Sequence, residues 1–417
     1  MILALVVQVV CLLLWGLTWP KTLSFVVPRE EVQSWKILAA DFEKSHPNIY
    51  INLVTKPDDT TDYTTDERKA IYTADFQNRV AQYDLVYMDI VWPLQFADNL
   101  QDLTPYIQRD GIDTSAFLES EVKVGEFDGQ LYRLPMRADV AVLYYRQDLL
   151  EQEGRSRPRT LAELSKTVDA LKPLTGYLWQ GRRYEGLVTN FVEVMKGMGA
   201  TWIDPDTDKV GLNTPSAIAA AETLQGLIGE GGISPNEVIT YTEKDALEQF
   251  IQDKAAFLRG WPYFWVELES KLKEKIEIAP LFSFSSDPDS GVGCRGGWGF
   301  GIPKNSAHPK AAWEAIKYFT SDAAQKKFVL ESGFLPSRSN LFQDPEILDK
   351  YPHMRWLSAY LEDSSTFRPS IKEYGPASEI LQKALGDILS GQQPAKDAMD
   401  WAQAETEKLL KPLDQGG

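Results

Sequence analysis

Histidine and cysteine are scarce in this chain. Three of the first and two of the second occur among 417 residues, and neither set is spaced for metal or thiol chemistry. Cys11 lies inside a leading hydrophobic run and Cys294 stands far from it, so neither a disulfide framework nor a CxxC metal pair is expected. Cys294 reads as a small, inert residue. His46, His308 and His353 each adjoin a proline at an expected helix boundary, and nothing places a Ser or Cys beside both a base and an orienter. HExxH, GxxxxGKS/T and a GxGxxG after a strand are all missing. Positive charge is short as well. The 43 Lys and Arg against 60 Asp and Glu leave a formal charge of −17, and phosphate backbones need basic patches that this chain lacks. Nucleic-acid binding is not expected, nor is a metal or cofactor.

One long hydrophobic run exists, Ile2–Leu17, with no charge until Lys21. Such a run is an export segment or a membrane anchor. It has no basic start and no small-x-small cleavage site, and Gln8-Val9-Val10 before Cys11 is a poor lipidation motif. Residues 1–21 are therefore expected to form a signal or anchor segment. The body then sits outside the cytoplasmic membrane, in a periplasmic or extracytoplasmic place, held through residues 2–19. Its length predicts two or three domain-sized units.

Aromatic residues are plentiful, with 12 Trp, 17 Tyr and 18 Phe. In an acidic soluble protein a Trp surplus suits a site that stacks on flat apolar faces such as those of sugar rings. Gly291–Pro303 reads GVGCRGGWGFGIP and frames Trp298 with glycines, which lets a backbone or ligand approach closely. Two readings compete here: a tight bend whose Trp plugs the core, and an exposed ring face.

Thr22–Val27 reads as a strand, and Trp35, Leu38, Ala39 and Phe42 repeat at helical spacing over Glu31–Glu43. A strand at Ile49–Val54, a helix around Asp66–Arg79 and a strand at Tyr83–Ile90 follow. Strand–helix alternation with short breakers predicts an α/β fold with parallel pairing. Ligands in such folds collect beyond the carboxyl ends of strands, where Glu31 and Asp89 fall. Leu131–Tyr145 reads as one long strand, with Asp139 among apolar residues, where a bare carboxylate is costly unless paired or used. Further on, helices are expected at Thr160–Leu171, after Thr214-Pro215, at Thr242–Gln252 with a capping pair of Thr242 and Asp245, at Pro309–Thr320 and Ser321–Ser332, and at Ser378–Leu389 and Ala395–Leu410. Ala255–Leu258 is a strand that runs into Trp261-Pro262-Tyr263, and Pro262 forbids a helix interior there. Asp89 and Asp139 could act as a glycosidase pair, but carboxylates and Trp faces also bind sugars without reacting.

Several stretches together carry a family resemblance. They are Tyr83-Asp84-Leu85-Val86-Tyr87-Met88-Asp89-Ile90-Val91-Trp92-Pro93, Leu134-Pro135-Met136-Arg137-Ala138-Asp139 leading to Leu143-Tyr144-Tyr145-Arg146, Trp179-Gln180-Gly181 with Tyr184-Glu185-Gly186-Leu187, Trp261-Pro262-Tyr263, Gly296-Gly297-Trp298 and Leu335-Pro336-Ser337-Arg338. From about Thr22 to Leu410 the chain resembles the maltose-binding-like extracellular solute-binding proteins of ABC importers, above all those for trehalose, maltose and glucosylglycerol-type ligands. The resemblance implies a two-lobed periplasmic-binding-protein-like fold (type II), each lobe a mixed sheet flanked by helices. Residues 22–139 with 299–334 would make one lobe, and 140–298 with 335–417 the other. Crossings would fall near Asp139–Val140, Trp298–Gly301 and Phe334–Pro336, and the lobes would close on ligand by hinge motion.

Carried over by position, the resemblance implies that Glu31, Asp89 and Asp139 accept hydrogen bonds from sugar hydroxyls and that Arg68 makes a polar contact. Trp261, Tyr263 and Trp298 would supply ring faces, Gly297 a backbone donor and Arg368 a guanidinium fork. At Arg137 the family pattern would place an apolar or aromatic residue. The implied partners are a small glycoside and the membrane subunits of an ABC permease, with the protein itself a monomer. A secreted glycoside hydrolase using Asp89 and Asp139 is the alternative.

Overall fold

The computed structural model describes residues 20–57, 62–171 and 176–411. The expected anchor, residues 2–19, lies outside them. No helix among the described residues is long and apolar enough to cross a membrane.

Among the described residues thirteen strands occur in chain order: β1 Lys21–Val26, β2 Ile49–Val54, β3 Val86–Asp89, β4 Glu126–Phe127, β5 Gln130–Leu131, β6 Leu134–Val140, β7 Val142–Arg146, β8 Tyr177–Leu178, β9 Phe257–Gly260, β10 Ile276–Pro280, β11 Gly293–Gly301, β12 Leu335–Pro336 and β13 Ser365–Thr366. They build two larger mixed sheets and two small two-stranded ones, β1–β2 and β4–β5, and the two larger sheets are the mark of a two-lobed α/β fold. The first lobe holds β12-β6-β11 with β3 and β13 on the outer edge of β11, beside the parallel pair β1–β2. The second lobe holds β10-β7-β9-β8.

Why the first lobe folds this way is visible in its aromatic core. The helix Val32–Ser45 buries Trp35, Leu38, Ala39 and Phe42 on one face, as their spacing predicts. Trp35 meets Phe25 of β1, Phe319 and Phe328, with ring centroids 5.2, 5.3 and 4.9 Å apart. Such rings bury large areas and add edge-to-face attraction. In the second lobe the helix Glu185–Gly197 is buried over most of its length, which suits its place between the sheet and the carboxyl-terminal helices. Local signals work as expected elsewhere. Thr160, Thr214 and Ser321 each accept a backbone N–H at a helix start, Thr242 and Asp245 close a capping box, and Gly333 ends Asp322–Ser332 in the left-handed region at φ 72°.

One expectation needs correction. Leu131–Tyr145 is not one strand. It breaks at Ala141 into β6, in the first lobe's sheet, and β7, in the second's. Almost every residue on both sides of the break is buried, so hydropathy runs through it without a mark. Within the same five-stranded sheet as β6, β11 pairs with β6 from Arg295 onward, and Trp298 lies opposite both Arg137 and Asp89. Gly293–Cys294 pairs with β13, and Leu335–Pro336 with Ala138 and Arg137.

The glycines of β11 exist for close approach. A Cβ on Gly299 would stand 2.5 Å from the Leu134 carbonyl oxygen, and one on Gly297 would stand 2.7 Å from the buried Glu121 carboxylate.

Candidate functional site

A cavity of about 420 Å³ lies between the two lobes, and Glu31, Arg68, Asp89, Asp139, Trp261, Tyr263, Gly297, Trp298 and Arg368 all line it. The topology brings them together. Asp89 ends β3, Asp139 sits near the end of β6, and Gly297 and Trp298 lie on β11 between those two strands. Trp261 and Tyr263 follow β9 in the other lobe, on a loop fixed by Tyr144, whose hydroxyl donates to the Trp261 or Pro262 carbonyl at 2.9 and 3.0 Å.

The floor of the cavity is an ion-pair network centred on Arg137. Its guanidinium donates to Glu31 at 2.9 Å, to Asp139 at 2.9 Å and to the Tyr87 hydroxyl at 3.1 Å, and it lies 3.8 Å above the Phe334 ring. Glu31 is fully buried, and its second oxygen accepts from Trp35 Nε1 and from Tyr87, both at 2.9 Å. The core tryptophan thus orients the carboxylate one turn before it. Both Glu31 oxygens accept from protein donors, so this carboxylate reaches the cavity as the buried partner of Arg137. Asp139 accepts from Arg137 and from the Val140 N–H. Burial pushes its carboxyl up to about 7, against the downward pull of Arg137.

Trp298 is not an open platform in this conformation. The Arg68 guanidinium lies 3.7 Å over its ring, with Tyr87 and Trp92 packed against it at 5.1 and 5.3 Å, and the residue is only 6% exposed. Arg68 is itself buried, and its Nε and Nη1 have no hydrogen-bond partner. Buried unpaired donors of this kind are costly unless something fills them. Across the cavity, the Arg259 guanidinium covers Trp261 at 4.3 Å while pairing with Glu193 and Gln180. Tyr263 is half-buried and packs on Phe334 of the first lobe at 4.4 Å.

Arg368 joins the lobes. It donates to Asp89 of the first lobe and to Glu185 of the second, each at 2.8 Å. Glu185 also accepts from the Tyr374 hydroxyl and, at 2.7 Å, from Ser378. A second bridge runs through Asp66, which accepts from the Glu185 N–H at 3.2 Å and from Gln382 at 3.4 Å. Burial, then the nearby Glu185 charge, push the Asp66 carboxyl up to about 6. Glu185 was not singled out from the sequence, although it sits inside the quoted Tyr184–Leu187 stretch. The two carboxylates that a glycosidase would use, Asp89 and Asp139, are each committed to an arginine.

Comparison with known proteins settles the class. Residues 28–326 match the model of the bacterial extracellular solute-binding proteins. The chain belongs to this family. Such a protein binds a solute outside the cell for an ABC transporter and performs no reaction on it. A probable ABC transporter-binding protein of Deinococcus radiodurans is 27% identical, over 78% of this chain and 80% of its own length. Maltose-bound MalE3 of T. maritima is 30% identical and superimposes with a TM-score of 0.87, covering 94% of this chain and all of that one, 100%. A solute-binding protein of Agrobacterium radiobacter in complex with ribitol is 25% identical, with a TM-score of 0.81 over 94% of this chain and 99% of that one.

Proposed function

We propose that this solute-binding protein captures a small glucoside, a disaccharide or a glycosyl polyol of the trehalose, sucrose, maltose or glucosylglycerol class, and presents it to an ABC permease. The observation that carries this reading is the cavity itself. At about 420 Å³ it has the size of a small-ligand site, and its walls combine carboxylates, guanidinium donors and indole rings. Sugars present that same mixture of hydroxyls and flat C–H faces. A relative that holds maltose and another that holds ribitol support a polyhydroxylated ligand.

Glu31, Arg68, Asp89, Asp139, Trp261, Tyr263, Gly297, Trp298 and Arg368 form the ligand-binding set in this reading. Arg68 offers its two unpartnered nitrogens to sugar oxygens, and Trp298 holds Arg68 in place from beneath. The protein works as a monomer, tethered outside the cytoplasmic membrane through residues 2–19. Ligand that touches both lobes stabilises the closed state alone, so binding is a population shift, and the closed surface is what the permease reads.

A thermal-shift panel of trehalose, sucrose, maltose and glucosylglycerol tests the reading, because a ligand bound only by the folded state raises its midpoint by mass action. At least one of the four is expected to raise it in a concentration-dependent way. A flat response to all four at millimolar levels rejects the substrate class.

A further inference from the structure

The three guanidiniums nearest the cavity floor are not equivalent. Arg368 is paired with Asp89 and Glu185, and Arg137 with Glu31 and Asp139, whereas Arg68 rests on an indole ring. Arg137 stands out because every nitrogen of its fork already has a protein acceptor while the residue still lines the cavity. Nε, Nη1 and Nη2 each donate to a different protein acceptor, and the ring of Phe334 closes one of its faces. It is 5% exposed, with two carboxylates that are 0% and 4% exposed.

We propose that Arg137 is a specificity-determining positioning residue, a resident cation that fills the place between Glu31 and Asp139 and thereby restricts the site to uncharged glycosides. The inference rests on the glycoside reading above and deepens it. Two buried carboxylates facing one cavity would otherwise make a strong receptor for an amine, since a charge-assisted N–H···O⁻ bond is among the stronger hydrogen bonds. With Arg137 in place their charge is already answered, and an incoming ammonium meets a guanidinium instead. Asp139 also faces Arg259 and the Tyr263 hydroxyl from the second lobe and Tyr144 at the start of it, while other acids of the cavity, Glu30, Asp62 and Glu243, line its wall without facing Arg137 through a hydrogen bond or ion pair. Arg137 keeps one more role open. The remaining N–H groups of Arg137 Nη1 and Nη2 can donate to an oxygen of the ligand, which a neutral sugar supplies and an ammonium does not.

Calorimetry on the full protein tests this with the four glycosides of the panel and with their amino-deoxy analogues, in which one hydroxyl of the glucosyl ring is an amine. The wild type is expected to bind the neutral glycoside more tightly than its amine. In Arg137→Met, which keeps the stem but frees both carboxylates, the ratio is expected to move toward the amine by about tenfold, the scale of one hydrogen bond to a charged group. Arg137→Lys restores the wild-type ratio, and adding Asp139→Asn to Arg137→Met removes most of the gain. If Arg137→Met does not fold, Arg137→Gln replaces it and is read the same way. A folded Met or Gln variant with an unchanged ratio overturns the role of Arg137 while leaving the glycoside reading intact. A wild type that binds neither a glycoside nor its amine overturns both.

Discussion

Arg68 and Trp298 act as one unit, because a buried guanidinium with two unfilled donors is held in position by the ring 3.7 Å beneath it. Cation–π contact of this kind strengthens as it is desolvated. Trp298→Ala is therefore expected to weaken glycoside binding by about 2–4 kcal/mol, and Arg68→Met, which keeps the ring covered but removes the donors, by about 1–3 kcal/mol. Titration of each folded variant with the tightest glycoside of the panel measures both losses, and wild-type affinity in either would separate that residue from the ligand. The sequence names both partners but cannot show that one lies on the other. The same holds at the floor. Glu31 and Arg137 are 106 positions apart and Asp89 and Arg368 are 279 apart, and no spacing rule reaches across such distances. Aromatic and acidic residues at strand ends are legible; which acid is already neutralised is not.

Elements were readable where the signal is local and opaque where it is not. Capping residues, prolines at first helical positions and the left-handed Gly333 mark helix ends through bonds within one turn, so those boundaries follow from the chain. The break between β6 and β7 leaves no such trace, since nearly all of 134–146 is buried in one sheet or the other. The glycines of β11 divide in the same way. Their number is plain in the sequence, but the reason for each is a neighbouring strand. Gly299→Ala would set a methyl 2.5 Å from the Leu134 oxygen and 2.8 Å from Arg133 Nε, so we expect a loss of about 1–3 kcal/mol in denaturant unfolding from overpacking. Gly226 ends the helix Pro215–Gly226 with nothing within 4 Å of its would-be Cβ. Gly226→Ala is expected to be neutral or to stabilise by up to about 1 kcal/mol. Equal effects at both positions would show that the tight strand crossing does not constrain the fold.

At the scale of the whole molecule the lobes are joined by a polar seam as well as by the hinge. Asp66, Asp89, Gln95 and Asp98 of the first lobe meet Glu185, Gln382, Arg368, Gly375 and Lys372 of the second. Breaking one partner of a buried pair such as Asp89–Arg368 leaves an uncompensated charge and costs about 3–5 kcal/mol, so the seam favours the closed form whenever the cleft shuts. Three carboxyls in or beside the cleft, Glu30, Asp66 and Asp139, stand at about 8, about 6 and about 7, above the usual carboxylate range because burial takes them out of water. The sign follows from linkage. If these carboxyls hold protons more tightly in the closed state than in an open, wetter one, closure is favoured at lower pH and loses that advantage as pH rises through about 6 to 8. Closure is thus expected to take up protons near neutrality, and glycoside affinity to fall between about pH 5 and pH 8.

One titration reaches the centre of this picture. Isothermal calorimetry of the full protein with trehalose, sucrose, maltose and glucosylglycerol, run near pH 6.5 in two buffers of different ionisation enthalpy, reads both the binding and the proton. We expect saturable binding of one glycoside per chain for at least one of the four, with a heat that differs between buffers in the direction of proton uptake. No heat with any of them in either buffer would contradict a protein whose lobes close on a small glucoside.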